Sequence, residues 1–310
     1  MELCNNRNHL FENSDKPFNF YIMKRSNLIT LFAVLLVAAA GMAGCEKNRN
    51  LETVDVLTAE DDAVMDLAFD DVFSEVDAVM NTMDMIGYTL PALKGGSEAF
   101  ETCKVITVEQ PEGTFWPRII TLDYGEGCTI GQRTRKGKII ITVSGPMWEE
   151  GSVRVVTFED FYINDHRIEG VRTVTNEGRH QEGEFQGKIY FSVLLEDGRV
   201  TTPDGIVITR EISRTRTFVE GEDTKWDTRD DIWYIQGVAT GMNRNGVEFT
   251  HEIVSPLWKE IGCRFITKGS VLISAEGRPD AMLDYGDGDC DPMVTITVGD
   301  ETRTINLRRW

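Results

Sequence analysis

From Lys104 onward apolar residues recur at every second position, and this regularity excludes most folds otherwise open to a 310-residue chain. The runs are Val105 and Thr107; Ile119 and Thr121; Ile139, Ile141 and Val143; Val153 and Val155; Tyr190, Ser192 and Leu194. A period of two belongs to strands whose two faces differ. Turn-forming clusters separate the runs: NDH at 164–166, EDG at 196–198 and NRNG at 243–246. Connections this short join antiparallel neighbours, because a parallel pair needs a crossover of a dozen or more residues. The fold expected is mainly β, a long antiparallel meander built as an open curved sheet or a sandwich-like one. In residues 206–219 (IVITREISRTRTFV) Thr, Arg and Glu alternate with Val and Ile, which predicts one wet face.

The meander repeats itself. CKVIT begins at Cys103 and LDYGEGC ends at Cys128; CRFIT begins at Cys263 and LDYGDGDC ends at Cys290. A strand-like run follows each second cysteine, KIIITV at 138–143 and VTITV at 294–298. A weaker pair is IEGVRTV from Ile168 and IQGVATG from Ile235. Two related halves are therefore expected at about 103–175 and 233–310. With Cys4 and Cys45 set aside, the four remaining cysteines allow three connectivities. If the copies share a local fold, the pairs are Cys103–Cys128 and Cys263–Cys290.

Ahead of the strands the period changes. Val64, Leu67, Ala68, Val72, Val76, Val79, Met83 and Ile86 recur at steps of three and four. This predicts one amphipathic helix over 58–88, with Thr58 as its cap, Glu60 and Asp61 at the positive end of its dipole, and Gly87 and Pro91 as stops. Its Val and Met stripe is expected to cover the sheet. Residues 46–57 are polar and read as a tether.

Residues 23–45, MKRSNLITLFAVLLVAAAGMAGC, place Lys24 and Arg25 before a 13-residue apolar run. At about 1.5 Å per residue that run is too short for a hydrocarbon core of roughly 30 Å, and it reads as a signal segment. The small residues leading to Cys45 resemble the bacterial lipobox, which implies cleavage before Cys45 and lipid attachment to it. Residues 1–22 have no basic start and read as a miscalled extension upstream of Met23. The lipobox, the paired LDYG-(E/D)-G-C segments, and the strands GKIIITVSGP and RNGVEFT together resemble secreted lipoproteins of Bacteroidota type. That resemblance covers most of the chain after Cys45. It implies a lipid anchor and assigns no chemistry.

The formal charge is −19, and setting aside residues 1–45 leaves it near −20, which argues against a nucleic-acid partner. No HExxH pair, G-x-S-x-G elbow or phosphate-binding glycine loop is present. No catalytic residue, metal or cofactor is assigned. Asp287, Asp289 and Asp291 alternate as calcium-loop oxygens do, although the bidentate Glu is missing at its usual distance, and a solvated turn is the preferred reading. Trp116, Trp148, Trp226, Trp233 and Trp258 would form a sugar-binding surface only if they shared the wet face. The leading expectation is a lipid-anchored cell-envelope protein of the outer membrane, on either side of it, that contacts an envelope protein or a glycan through the sheet without catalysis. The alternatives are a secreted carboxylate-dependent hydrolase and a carrier of an apolar ligand between helix and sheet.

Overall fold

A computed structural model of the chain describes residues 54–85, 103–110, 113–131, 133–224 and 228–307. They belong to one unit that spans Leu51–Trp310. The signal segment, Cys45, residues 46–53 of the tether, Gly87, Pro91 and Trp226 lie outside the described residues.

The helix, α1, runs Val54–Met85. It starts four residues before the expected cap, so Val54 to Leu57 are helix rather than tether. Thr58 is not a cap. It lies inside the helix, 2% exposed, and its hydroxyl accepts from Asn243 Nδ2 at 2.7 Å.

Strands follow in chain order: β1 (Val105–Glu109), β2 (Arg118–Asp123), β3 (Cys128–Ile130), β4 (Arg133–Val143), β5 (Val153–Ile163), β6 (His166–Arg179) and β7 (Ile189–Thr201). The series continues with β8 (Val207–Glu220), β9 (Ile232–Met242), β10 (Glu248–Glu260), β11 (Lys268–Ser274), β12 (Ala281–Asp287), β13 (Met293–Val298) and β14 (Glu301–Asn306). All lie in one 14-stranded antiparallel sheet whose spatial order follows the chain, with β3 paired to β4 off the main path. The sheet is a single open meander, and the sandwich-like alternative is not formed.

Two turn clusters fall between strands as expected, at 164–165 and 243–247. The cluster at 196–198 does not: it lies within β7, where the register shifts against both β6 and β8. Gly170 faces this bulge with φ 134°, and a Cβ there would sit 3.0 Å from Gly198 Cα. Its counterpart in the weaker echo, Gly237, has φ 129°, and a Cβ would lie 2.4 Å from Ser213 O. Both glycines let a neighbouring backbone approach where no side chain fits.

The stronger echo also shares local structure. Leu122 and Leu283 are fully buried, and Tyr124 and Tyr285 are buried behind them. Asp123 Oδ1 accepts from Gly125 N, and Asp284 Oδ1 accepts from Gly286 N, each at 2.8 Å. The disulfides are Cys103–Cys128 and Cys263–Cys290. The copies differ before the turn, since the residues after Cys103 form β1 whereas β11 begins only at Lys268. Two disulfides mark an extracytoplasmic protein.

The sheet curls around α1. Met65, Phe69, Val72, Phe73, Val76 and Met83 of the helix pack into one core with residues of β2, β4 to β8. Ala59, Ala63 and Leu67 pack into a second with residues of β9 to β13. Every residue from Asp61 to Leu67 is buried, carboxylates included, so α1 is enclosed there rather than laid on a face.

Candidate functional site

Enclosing an acidic helix requires a basic lining, and the sheet supplies one. On β8 the inward positions are Ile208, Arg210, Ile212, Arg214 and Arg216, while Thr209, Glu211, Ser213 and Thr215 face out. The arginines of 206–219 thus share the inner face with isoleucine, which corrects their assignment to the wet side. The parity is general. Ile139, Ile141 and Val143 point inward as their run suggests, whereas in β1, β2, β5 and β7 the inner set is the other one, with Ile120 and Leu122 rather than Ile119 and Thr121 on β2, Arg154 on β5 and Phe191, Val193 and Leu195 on β7. Arg135 on β4, Arg172 on β6 and His251 on β10 stand on the same inner surface.

These groups meet α1 in a charged seam. At its N-terminal part Asp62 and Arg210 are fully buried, with Arg210 Nη1 donating to the Asp62 carbonyl at 2.9 Å and lying 3.0 Å from Asp62 Oδ1. Arg210 Nη2 is 3.2 Å from Asp66 Oδ1, and Arg214 donates to both oxygens of Asp66 at 2.9 and 3.3 Å. His251 lies between. Its Nδ1 donates to Asp62 Oδ2 at 2.7 Å, which leaves Nε2 to accept from Arg214 Nη2 at 2.9 Å. Burial, reinforced by the two guanidiniums and opposed by Asp62, lowers the His251 pKa, so the ring is neutral. Burial alone would raise the pKa of Asp66, but Arg210 and Arg214 outweigh it and hold the carboxyl far below its usual range.

Further along the helix, Asp71 pairs with Arg133 and Arg135, and Glu75 with Lys104. Asp77 meets Arg154 at 2.5 Å and Arg216 at 3.5 Å. Against the desolvation cost, Arg154, Arg216 and Arg172 bring its pKa down to about 2. Asp61 binds the β9–β10 turn, accepting from Arg244 N at 2.9 Å and Nε at 2.7 Å.

Asp62, Asp66 and His251 bring three potential ligand atoms within 4.8 Å of one another. They do not fit a cation. Both carboxylates are neutralised by Arg210 and Arg214, and the lone pair of His251 Nε2 is taken by Arg214, so a divalent ion would add charge where none is needed. Asp66 also suits acid catalysis poorly, since a general acid needs a pKa near the working pH and its carboxyl is held far below it.

Asp287, Asp289 and Asp291 are exposed and do not converge on one point among the described residues. Asp291 instead turns onto its own backbone, accepting from Met293 N at 2.7 Å. The tryptophans are dispersed. Trp233 is stacked on Phe218 with centroids 4.7 Å apart and lies under Arg216, Trp116 is packed against the first core, and Trp148 is exposed in the β4–β5 connection. Trp258 stands on the opposite, outer surface in a cross-strand row with Tyr190, Thr217 and Tyr234. His180 and Phe185 cover part of that row, at 4.2 Å from the Tyr190 ring and 4.4 Å from the Tyr234 ring.

The seam was missed by motif reading because no spacing rule connects a helix to a strand some 150 residues later. Its signal was parity: Arg210, Arg214 and Arg216 fall on the same alternate positions as Ile208 and Ile212, and His251 on those of Phe249. Comparison of the chain with protein-family models, with curated proteins and with solved structures finds no match.

Proposed function

We propose that this protein is an exported, lipid-anchored envelope component that holds a partner protein on the outer face of β7 to β10 and performs no chemistry of its own. The observation that carries the reading is a row of outward side chains. Leu194, Ser213, Val238 and Glu252 are successive neighbours across four strands. Leu194, Val238 and nearby Val254 are 41, 48 and 46% exposed. Clustered exposed aliphatic groups in a polar rim mark interaction surfaces. Aliphatic tips among hydroxyls suit a protein, whereas a sugar ring stacks on flat aromatic faces, and the outer aromatics are partly covered by the loop bearing His180 and Phe185.

The two alternatives fit less well. The space between α1 and the sheet is filled by side chains, and the cleft at mid-helix offers about 40 Å³, against roughly 300 Å³ or more for a small-molecule pocket. The carboxylates at that cleft are ion-paired acceptors. Support for the anchor comes from the lipobox at Cys45 and from the oxidised cysteines of the folded unit.

Immobilised protein is expected to retain a defined envelope protein from detergent-solubilised membranes, and the Leu194→Glu/Val238→Glu variant to lose it at an unchanged unfolding midpoint. Equal capture by the variant would refute this face as the binding surface. Mass spectrometry of the membrane fraction tests the anchor: acylated Cys45 is expected, and an unmodified, soluble chain would overturn it.

A further inference from the structure

The cleft at mid-helix carries a feature that neither folding nor the outer face explains. It opens between α1 and strands β6 to β10 and is lined on its charged side by Asp66, Asp70, Asp77, Arg172, Arg214, Arg216 and Lys259. Arg214 is matched by Asp66. Arg216 shares Asp77 with the much closer Arg154, and Lys259 Nζ, 3.9 Å from Asp70, donates instead to Arg264 O at 2.6 Å. Arg172 has no carboxylate within ion-pair distance among the described residues. Four cations, Arg154, Arg172, Arg216 and Lys259, therefore face two carboxylates, Asp70 and Asp77, in the interior of a chain whose net charge is −19.

Arg172 is the sharpest case. It is 3% exposed, and its guanidinium lies over the Phe73 ring at 3.7 Å. Stacking satisfies the face of the cation and leaves its edge donors to be met in the plane. Among the described residues no acceptor reaches its Nε or Nη1. Leaving buried donors of a charged group unmet is costly, and Arg172 stands near Arg154 and Arg216, which already share Asp77, so the three guanidiniums repel one another.

We propose that this cleft is a binding site for a small oxyanion, of the phosphate, sulfate or carboxylate class, held by Arg172 with Arg216, Lys259 and the Ser74 hydroxyl at its wall. Such an anion supplies the missing acceptors and offsets the surplus positive charge. The free space of about 40 Å³ equals roughly three water sites, which admits one oxyanion head and excludes a sugar or nucleotide ring. Asp66, Asp70 and Asp77 oppose the anion, but Asp66 and Asp77 are already neutralised by arginines. Because the site touches both α1 and the sheet, its ligand also ties one to the other.

The test is calorimetric titration of the full chain with inorganic phosphate at pH 7, with ionic strength held constant by sodium chloride. One saturable site is expected, with a Tm that rises and levels off as phosphate increases. Arg172→Met, which keeps an apolar contact with Phe73, is expected to weaken binding at least tenfold. Arg199→Ala, at an exposed position of β7, is expected to leave it unchanged. Should Arg172→Met fail to fold, Lys259→Met carries the same expectation. Absence of a saturable site in the wild-type chain, or equal affinity in the Arg172 or Lys259 variant, would overturn the proposal. Sulfate and acetate titrations then separate a tetrahedral from a planar ligand.

Discussion

Replacing Arg210 by Met is the sharpest probe of the seam. The side chain is fully buried; Nη1 donates to the Asp62 carbonyl, the guanidinium makes close contacts to the carboxylates of Asp62 and Asp66, and Nη2 lies 2.9 Å from His251 Nδ1. Met matches much of its volume and adds no polar group, so the loss is electrostatic. Hydrogen bonds to charged groups contribute about 1.5 to 3 kcal/mol each. Counting its two ion-pair contacts, to Asp62 and Asp66, gives about 3 to 6 kcal/mol, in line with the 3 to 5 kcal/mol typical when one partner of a buried ion pair is removed. At about 2 to 4 °C per kcal/mol for a unit of this size, Tm should fall by roughly 10 °C. Urea unfolding followed by far-ultraviolet circular dichroism measures the change. The companion Arg210→Met/Asp62→Leu removes the abandoned carboxylate as well and should recover most of the loss. A single-variant cost below about 1 kcal/mol, or no recovery in the double variant, would refute the view that these charges are mutually neutralising and dry.

Acid should unfold the protein in two stages. The depressed pKa of His251 stabilises the fold above its ordinary value near 6.5 and that contribution fades as pH falls below it, while Asp77, at about 2 against an ordinary 3.8, contributes about 2 kcal/mol that is lost as pH falls from about 5 toward 2; His251→Gln should flatten the upper stage in a pH series of urea midpoints. Cys263→Ser/Cys290→Ser opens a loop of 27 residues and should cost about 3 to 4 kcal/mol by thermal or urea unfolding, with a similar cost for Cys103→Ser/Cys128→Ser; a negligible effect would mean that the meander is held without its cross-links. Gly237→Val should lower stability by more than about 1 kcal/mol, because its φ of 129° and the Ser213 carbonyl leave no room for a side chain, whereas Gly277→Ala, where no heavy atom lies nearby, should cost less; equal effects on Tm would refute the close-approach explanation.

Much of the fold was readable because its signals are local. A period of two, turn clusters and the doubled LDYG segment are each contained within a few residues, and the doubled cysteines selected the pairing that the fold contains. The helix was legible from its 3–4 spacing, but Thr58 was misread as a cap because capping residues look alike whether their hydroxyl meets a backbone amide or, as here, the side chain of Asn243. The EDG cluster was misread because a bulge uses the same residues as a hairpin turn, and only the pairing of Gly170 opposite it distinguishes the two. The charged seam was the largest omission. Alternation was visible in β8, yet charge was taken to mean solvent, whereas the strand's parity already placed its arginines with isoleucine. The rule that charged residues face water fails when the opposing element is equally charged.

That failure explains the architecture. A helix enclosed by a curled sheet through apolar contacts alone is free to rotate or slide by a turn at little energetic cost, since one Val or Met replaces another. Carboxylates at Asp62, Asp66, Asp70 and Asp77 recur at mostly helical spacing, and each faces a different cation on β5, β8 or β10. Rotation or a one-turn slide would leave several buried charges unmatched, at several kcal/mol each, so the seam penalises wrong registers far more than it rewards the right one. The same matching is incomplete at Arg172, on the wall of the mid-helix cleft. Specificity of the helix position and the surplus of positive charge thus arise from one arrangement, with α1 as its acidic half and the inner face of the sheet as its basic half.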